Sequence, residues 1–520
     1  MMGDAPPEGR AAASSVNALA GVARLLVPMA CAFVTRTVFA WTLGSACLGA
    51  VGAMQDAIRV LSLMELGFGS TMAYLLYRPV AAGDAEEIKS LMRLYARAYR
   101  VVGLAVLAVG AAASPLIVRA AGDAVPVPEL LGAWAVMLAN AAATYFFGYK
   151  QMLFVARQRA YRCDLVRVAV APLLCALQVG ALVLTRSFLL YVACTLVQGA
   201  AASIWLSRRA TKTYPLLAEK DARPLSPKRR RFLRSRVAAM FCHQVGDVAV
   251  NGTDVLLMSL LVSVGVAGLY SNYLLVATAL SSVVVAAFSG AAASVGNLAA
   301  LEGASTQAAW RAYRRLDALN NFASSTVAVC VLFLLQPFMR LWLGDEFLLG
   351  DEFVLALAVG LFLPNARQAA RIFADARGLF WNTRFVPLAE GVVDLALTVA
   401  FCLMWGAIGV PLATAAGFAL FAPVNMYVVY RRWFGLPRRR FFADLVRQYA
   451  QVTLVAAVVG VAVLAVGGDA APFPLRCAVV VPLTVGIELA ILWRSGHVPY
   501  LVGVLRGLAR GMRRRKEGER

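Results

Sequence analysis

Long apolar runs separated by short polar gaps make up most of this chain. A helix needs roughly 20 apolar residues to cross a bilayer, and about fourteen runs reach that length. They predict helices near 17–39, 46–76, 101–119, 129–149, 165–185, 187–206, 237–261 and 266–295. The rest fall near 318–341, 353–374, 384–405, 407–430, 447–467 and 474–493. Gly and Pro inside such runs are tolerated, because neighbouring helices re-satisfy the freed backbone groups. Between Asp84 and Tyr99 the pattern changes. Ile88, Leu91, Met92, Tyr95 and Tyr99 follow helical spacing beside Lys89, Arg93, Arg97 and Arg100. This predicts an amphipathic helix lying on the inner membrane face before the third span.

Charge in the gaps sets the topology. Every second gap is basic: Arg78 to Arg100; Lys150, Arg157, Arg159, Arg162 and Arg167; Arg208 to Arg236 with Lys228-Arg229-Arg230-Arg231 at its centre. The theme continues with Arg311, Arg314 and Arg315, then Arg377 and Arg384, then Arg431, Arg432 and Arg438 to Arg440. The alternate gaps are short or acidic, with Asp123 and Glu129, or Asp345, Glu346, Asp351 and Glu352. Lys and Arg are retained on the cytoplasmic side during insertion, so both termini are expected on the cytoplasmic side. The net charge of +22 on 520 residues therefore calls for no nucleic acid; it sits in loops facing anionic lipid headgroups. The tail Arg513-Arg514-Arg515-Lys516 reads as a juxtamembrane anchor.

The fold class that follows is an all-α polytopic membrane protein of about fourteen helices. A shift of about 218 to 220 residues superposes cytoplasmic landmarks, the mark of an internal repeat. Arg93 and Tyr95 fall on Arg311 and Tyr313, Arg97 on Arg315, Ala156-Arg157 on Ala376-Arg377, and Tyr161 on Trp381. Leu48-Gly49 falls near Gly268, within a run beginning Val264-Gly265. Six helices separate equivalent points, so the repeats run the same way across the membrane, a known transporter plan. The expected layout is an N-terminal lobe over 1–207, a basic cytoplasmic linker over 208–236 and a C-terminal lobe over 237–432. Two extra helices over 433–495 and a basic tail over 496–520 complete it.

Ionisable groups inside membrane segments are costly and usually face a cavity or a partner. In the seventh segment His243, Asp247, Asn251 and Asp254 are spaced i, i+4, i+8 and i+11, within about 80° of arc on a straight helix. They form a candidate cavity stripe in which Asp247 would take a proton or a cation; pairing of Asp247 with an arginine is the structural alternative. Asp56 and Arg59, at i and i+3, fit a local ion pair or a cavity role equally. Arg24 lies mid-segment on the first helix, and Arg36 either joins the cavity or snorkels to the outer interface. In the tenth segment Arg367, Arg371 and Asp375 share a face after Pro364. Guanidinium groups there suit phosphate oxygens, although positive-inside residues would look the same. Glu65 is expected to act in helix packing; Glu390, Asp394 and Glu488 have no assigned role.

Nine scattered cysteines offer no CxxC pair, and Met1 to Ser15 lacks a signal-peptide arrangement. Two histidines leave almost no metal ligands, no P-loop is present, and neither a metal nor a cofactor is expected. Transport driven by an ion gradient or membrane potential remains, with H+ or Na+ as the coupling ion.

Leu76-Tyr77-Arg78-Pro79-Val80, Asp84 and Ile88-Lys89-Ser90-Leu91-Met92-Arg93-Leu94-Tyr95 carry a family resemblance, as does Glu65-Leu66-Gly67-Phe68-Gly69. So do Asp254-Val255-Leu256, Gly268-Leu269-Tyr270-Ser271-Asn272-Tyr273-Leu274-Leu275, and Gly406-Ala407-Ile408-Gly409 with Ala413-Thr414. These stretches resemble Wzx-type polysaccharide exporters of the multidrug/oligosaccharidyl-lipid/polysaccharide (MOP) exporter superfamily. The resemblance implies two pseudo-symmetric six-helix lobes around a central cavity, plus two C-terminal helices. It also implies a non-enzymatic flippase for undecaprenyl-diphosphate-linked oligosaccharide, working beside polysaccharide biosynthesis enzymes. The alternatives are a cation-coupled multidrug exporter or a lipid II flippase of the same superfamily. A membrane-embedded glycan polymerase ranks lower, because only Asp345-Glu346 and Asp351-Glu352 offer an acidic pair in a loop.

Overall fold

The computed structural model describes residues 7–65, 68–217, 244–289, 306–377 and 385–497. It also describes the single positions 219, 237, 241, 291, 295, 296 and 379, and side chains from 25 onward. His243, Trp381, Arg384, most of the 208–236 linker, the basic tail and the side chain of Arg24 lie outside the described residues. Those that are described form helices joined by short turns, with no strand among them. Eleven segments are long and apolar enough to cross a membrane. Two of these are double. Leu25–Glu65 turns at Gly44, whose φ of 79° only glycine adopts readily, and Val386–Arg432 turns at Gly406–Ile408. Large apolar side chains stay exposed along the outer faces, among them Leu184, Leu403 and Leu464, as a lipid-facing surface requires.

The chain divides into two compact units: Val16–Ser271, and Asn272–Arg520 together with Met1–Ser15. The first holds α1 (Pro7–Leu61) from Val16 onward, α2 (Phe68–Ala82), α3 (Ala85–Ala112), α4 (Ser114–Ala121), α5 (Val127–Gly148) and α6 (Met152–Ala156). It continues with α7 (Tyr161–Thr185), α8 (Phe188–Leu196), α9 (Ala202–Thr213), α10 (Asp254–Leu261) and the start of α11 (Val264–Ser289). The end of the seventh apolar segment therefore belongs with the first six.

Glycine sets the closest approach in this unit. A β-carbon on Gly49 would overlap the carbonyl of Val264, and one on Gly268 would overlap the carbonyl of Ser45. Small residues four apart let the backbones of α1 and α11 touch, the usual way membrane helices gain contact without a hydrophobic driving force. The two glycines occupy equivalent positions in the repeat.

Asp84–Tyr99, expected as a separate surface helix, instead forms the start of α3, which runs unbroken from Ala85 to Ala112 with Asp84 as its N-cap. Its apolar stripe covers protein rather than lipid. Ile88, Leu91, Met92, Tyr95 and Tyr99 are buried. Tyr95 and Tyr99 lie at 4.2 Å between ring centroids, and Tyr99 meets Tyr145 at 5.4 Å. Glu65 accepts from the Tyr99 hydroxyl and, at 3.2 Å, from the Gly69 amide, so it ties α3 to the first turn of α2.

The second unit contains α12 (Thr306–Leu343), α13 (Asp351–Ala366), α14 (Gln368–Ala376), α15 (Val386–Trp405), α16 (Gly409–Arg432), α17 (Arg438–Ala465) and α18 (Phe473–Arg494). Glu488 on α18, fully buried, accepts from Ser325 on α12 and from Gln451 on α17 at 2.7 Å. The hydrogen bonds that bury this carboxylate also attach the two last helices to the rest of the unit.

The repeat is visible in side-chain packing. In the first unit Arg157 lies over the Tyr214 ring at 4.6 Å, and Phe154 meets the same ring at 5.3 Å. In the second, Arg377 lies over the Trp433 ring at 5.7 Å, and Phe373 meets it at 5.0 Å. All three members are related by the offset of about 219 residues. Tyr95 and Tyr313, also equivalent, are both buried near the starts of long helices.

Gly268→Leu is expected to destabilise the purified protein by roughly 3 kcal/mol. The control Gly180→Leu, where no neighbouring atom lies within 4 Å, should leave the thermal melt nearly unchanged. Equal melts for the two variants would show that the glycine contact does not hold α1 and α11 together.

Candidate functional site

Two apolar segments are interrupted, the second within the membrane-length span Asp351–Ala376, and charged or amide side chains attend each interruption. The first lies between Asn251 and Asp254, where the chain bends at Gly252 and Thr253 before α10 starts. In an unbroken helix the Val255 amide would donate to the Asn251 carbonyl. Here Asp56 and Arg59, one turn apart on α1, take the two halves of that bond. Asp56 Oδ2 accepts from the amides of Val255 at 2.8 Å and Leu256 at 3.1 Å. Arg59 Nη1 donates to the Asn251 carbonyl at 2.9 Å and lies 3.7 Å from Asp56 Oδ1. A carboxylate thus sits at a helix N-terminus and a guanidinium at a helix C-terminus, the arrangement the peptide dipoles favour. Gly252 gives room for this: a β-carbon there would come to 3.4 Å from the Arg59 side chain and 2.9 Å from the Val248 carbonyl.

The bend also divides the predicted stripe. Asp247 and Asn251 remain together on an exposed face, where Asn251 Nδ2 donates to Asp247 Oδ1 at 3.3 Å. Asp254 is buried and accepts from the Tyr270 hydroxyl at 3.3 Å. It is not on the face that a straight helix would give it. Arg36 reaches Ser271 on α11 through Nη2. The open polar group in this unit is therefore Asp247, Asn251 and the Arg59 side chain, which is 58% exposed, with Asp56 buried beneath it.

The second interruption separates α13 from α14 at Arg367, three residues after Pro364. Asn320 on α12 donates its amide to the carbonyls of Asn365 and Ala366, both at 2.9 Å. Ser281 donates to Asn365 Oδ1 at 2.9 Å. Arg367 turns to Glu390 on α15 at 3.0 Å and lies over the Phe418 ring at 5.4 Å. One turn beyond Glu390, Asp394 is 1% exposed, and neither of its oxygens has a hydrogen-bond partner among the described residues. The hydroxyl of Thr398, one further turn along, is also without a partner there. An ionised carboxylate in such a setting is expensive unless a proton or cation neutralises it. Arg371 and Asp375 are exposed.

The interruption roles of Asp56 and Arg59 escape a sequence reading, although Gly252-Thr253-Asp254 is a helix-start signal. Of the Glu390–Asp394–Thr398 ladder, the sequence offers only the four-residue spacing of Glu390 and Asp394, and nothing in it singles out Thr398.

No protein-family model matches the chain, and no curated protein matches it by sequence. Solved structures do. One is an inward-facing multidrug resistance MATE family transporter of the MOP superfamily, at 16% identity over 79% of this chain and 98% of that one, with a TM-score of 0.58. Lipid II flippase MurJ in an inward closed conformation matches at 12% identity over 92% of this chain and 99% of that one, with a TM-score of 0.65. The MATE multidrug transporter DinF-BH matches at 15% identity over 84% and 98%, with a TM-score of 0.59. At these identities the likeness is one of fold: the chain has the polytopic all-α fold of MOP-superfamily transporters.

Asp56→Ala, which leaves two amides without an acceptor, should cost roughly 2–4 kcal/mol, and Asp56→Asn clearly less. Matching thermal melts for wild type and Asp56→Ala would contradict the bridging role. Arg367→Leu should cost roughly 3–5 kcal/mol by stranding Glu390, and adding Glu390→Leu should recover most of it. A double variant no more stable than the single one would mean the two side chains act independently.

Proposed function

We propose that this protein is a flippase of the bacterial inner membrane, with both termini cytoplasmic. Its substrate in this reading is an undecaprenyl-diphosphate-linked oligosaccharide, moved from the inner to the outer leaflet by alternating access for surface polysaccharide synthesis. The observation that carries the reading is the exposed charge inside membrane segments. Arg59 and Asp247 keep open faces where lipid contact would be costly, so water or a polar substrate must reach them. A guanidinium suits a pyrophosphate, Asp247 and Asn251 offer acceptors and a donor to sugar hydroxyls, and the polyprenyl tail stays in the bilayer. Coverage of 92% by the lipid II flippase structure, against 79% and 84% for the multidrug transporters, supports a lipid-linked substrate.

Coupling to H+ or Na+ requires a carboxylate that changes state during the cycle. Asp247 is accessible for this, and the buried Asp394, without a hydrogen-bond partner among the described residues, is the second candidate. A cation-coupled multidrug exporter remains the competing reading, favoured by the same fold in the MATE structures.

A strain lacking the gene should lose surface polymer and accumulate undecaprenyl-linked repeat units on the inner leaflet. Wild type should restore export, and Asp247→Asn should restore less than about a tenth of it at equal protein level. Normal polymer together with new drug sensitivity would replace the flippase by the drug exporter.

A further inference from the structure

At the basic ends of α12, α16, α17 and α18 lies an open cleft. Its walls combine polar side chains with apolar ones such as Met426, Phe441 and Leu445. Arg314, Asp317 and Asn321 come from α12, Arg447 and Gln448 from α17, and His497 follows α18. All belong to the second unit.

Three lining atoms have no hydrogen-bond partner among the described residues: Asp317 Oδ1, Asn321 Oδ1 and Gln448 Nε2. Asn321 is 6% exposed and Gln448 7%, so bulk water does not serve them freely. The surrounding groups are already engaged. Asp444 takes Arg314 at 3.1 Å, Arg440 at 3.3 Å and the Tyr430 hydroxyl at 3.2 Å, while Gln451 is committed to Glu488. What remains is two acceptors, Asp317 and Asn321, and an opposing donor set, the Gln448 amide, exposed Arg447 and the His497 ring.

The position of the cleft restricts what can fill it. Arg311, Arg315, Arg431, Arg432 and Arg494 surround the same helix ends, and Trp310, Trp433 and Trp493 lie at that level, Trp493 being 75% exposed. Lys and Arg with Trp mark the cytoplasmic headgroup zone. A ligand there that satisfies both walls carries an N–H-bearing cation for Asp317 and Asn321 and an anion for Gln448 and Arg447. Phosphocholine has no N–H to donate, and phosphoglycerol has no cation. We propose that the cleft binds the phosphoethanolamine headgroup of an inner-leaflet aminophospholipid, its ammonium toward Asp317 and Asn321 and its phosphate toward Arg447 and Gln448.

His497 reports on this site. Burial first, and then the charges of Arg314, Arg315 and Arg447, hold its pKa below the ordinary histidine value. A phosphate among those cations offsets their field, so occupancy moves the His497 titration to higher pH.

The test is NMR titration of 13C-histidine-labelled full-length protein in phosphatidylcholine nanodiscs, with the His497 signal identified by its loss in His497→Gln. Replacing a fifth of the lipid by phosphatidylethanolamine should shift the titration upward and saturate. This lipid has no net charge, so the shift cannot come from a general surface potential. Asn321→Leu and Gln448→Leu, each checked for an unchanged melt, should lose the response. No shift with phosphatidylethanolamine, a shift with phosphatidylglycerol alone, or a response that survives in both folded variants would overturn the proposal. Saturation by soluble glycerophosphoethanolamine in pure phosphatidylcholine would keep the chemistry and overturn the lipid as its source.

Discussion

A helix broken inside a bilayer leaves amides and carbonyls that no solvent will satisfy, and the protein must supply partners for them. At Gly252 those partners are Asp56, which accepts from the Val255 and Leu256 amides, and Arg59, which donates to the Asn251 carbonyl. Asn320 does the equivalent for the carbonyls before Arg367. Each break thereby brings a polar side chain into a membrane segment and leaves another free to face outward. Asp247 and Arg59 beside the first break, and Arg367, Glu390 and Asp394 beside the second, owe their positions to this constraint. The polar sites of the protein are products of how its helices are interrupted.

Around these breaks the packing is conventional for a membrane protein. Glycine backbones meet between α1 and α11, and aromatic clusters close the helix ends of each unit. The Phe–aromatic–Arg group recurs with the same spacing in both units, which fixes the helix ends at equivalent places. Carboxylates tie elements together: Glu65 joins α2 to α3, and Glu488 joins α12, α17 and α18.

The helices were legible because their signal is length and apolarity, which the bilayer imposes directly. The repeat was legible because its landmarks, such as Arg157 and Arg377, are polar residues in an apolar background. Patterning says that a face is buried without saying by what, and this is why Ile88 to Tyr99 read as a lipid-facing stripe although tyrosines of α5 and the adjoining turn cover it. The same blindness hides the roles of Asp56 and Arg59, whose partners lie about 200 residues away. A straight-helix projection also placed Asp254 with Asp247, because spacing alone does not register a bend two residues long. Asp394 carried no legible role, since its distinguishing property is the lack of a hydrogen-bond partner among the described residues.

In the proposed function, exposed charge within this fold serves a lipid-linked, pyrophosphate-bearing substrate. The most direct measurement is transport by the purified protein in vesicles loaded with an undecaprenyl-diphosphate oligosaccharide, read as glycan becoming accessible to an enzyme on the opposite face. The account predicts protein-dependent, gradient-stimulated exposure of the glycan and no export of a cationic dye under the same gradient. Dye export without glycan movement would contradict it.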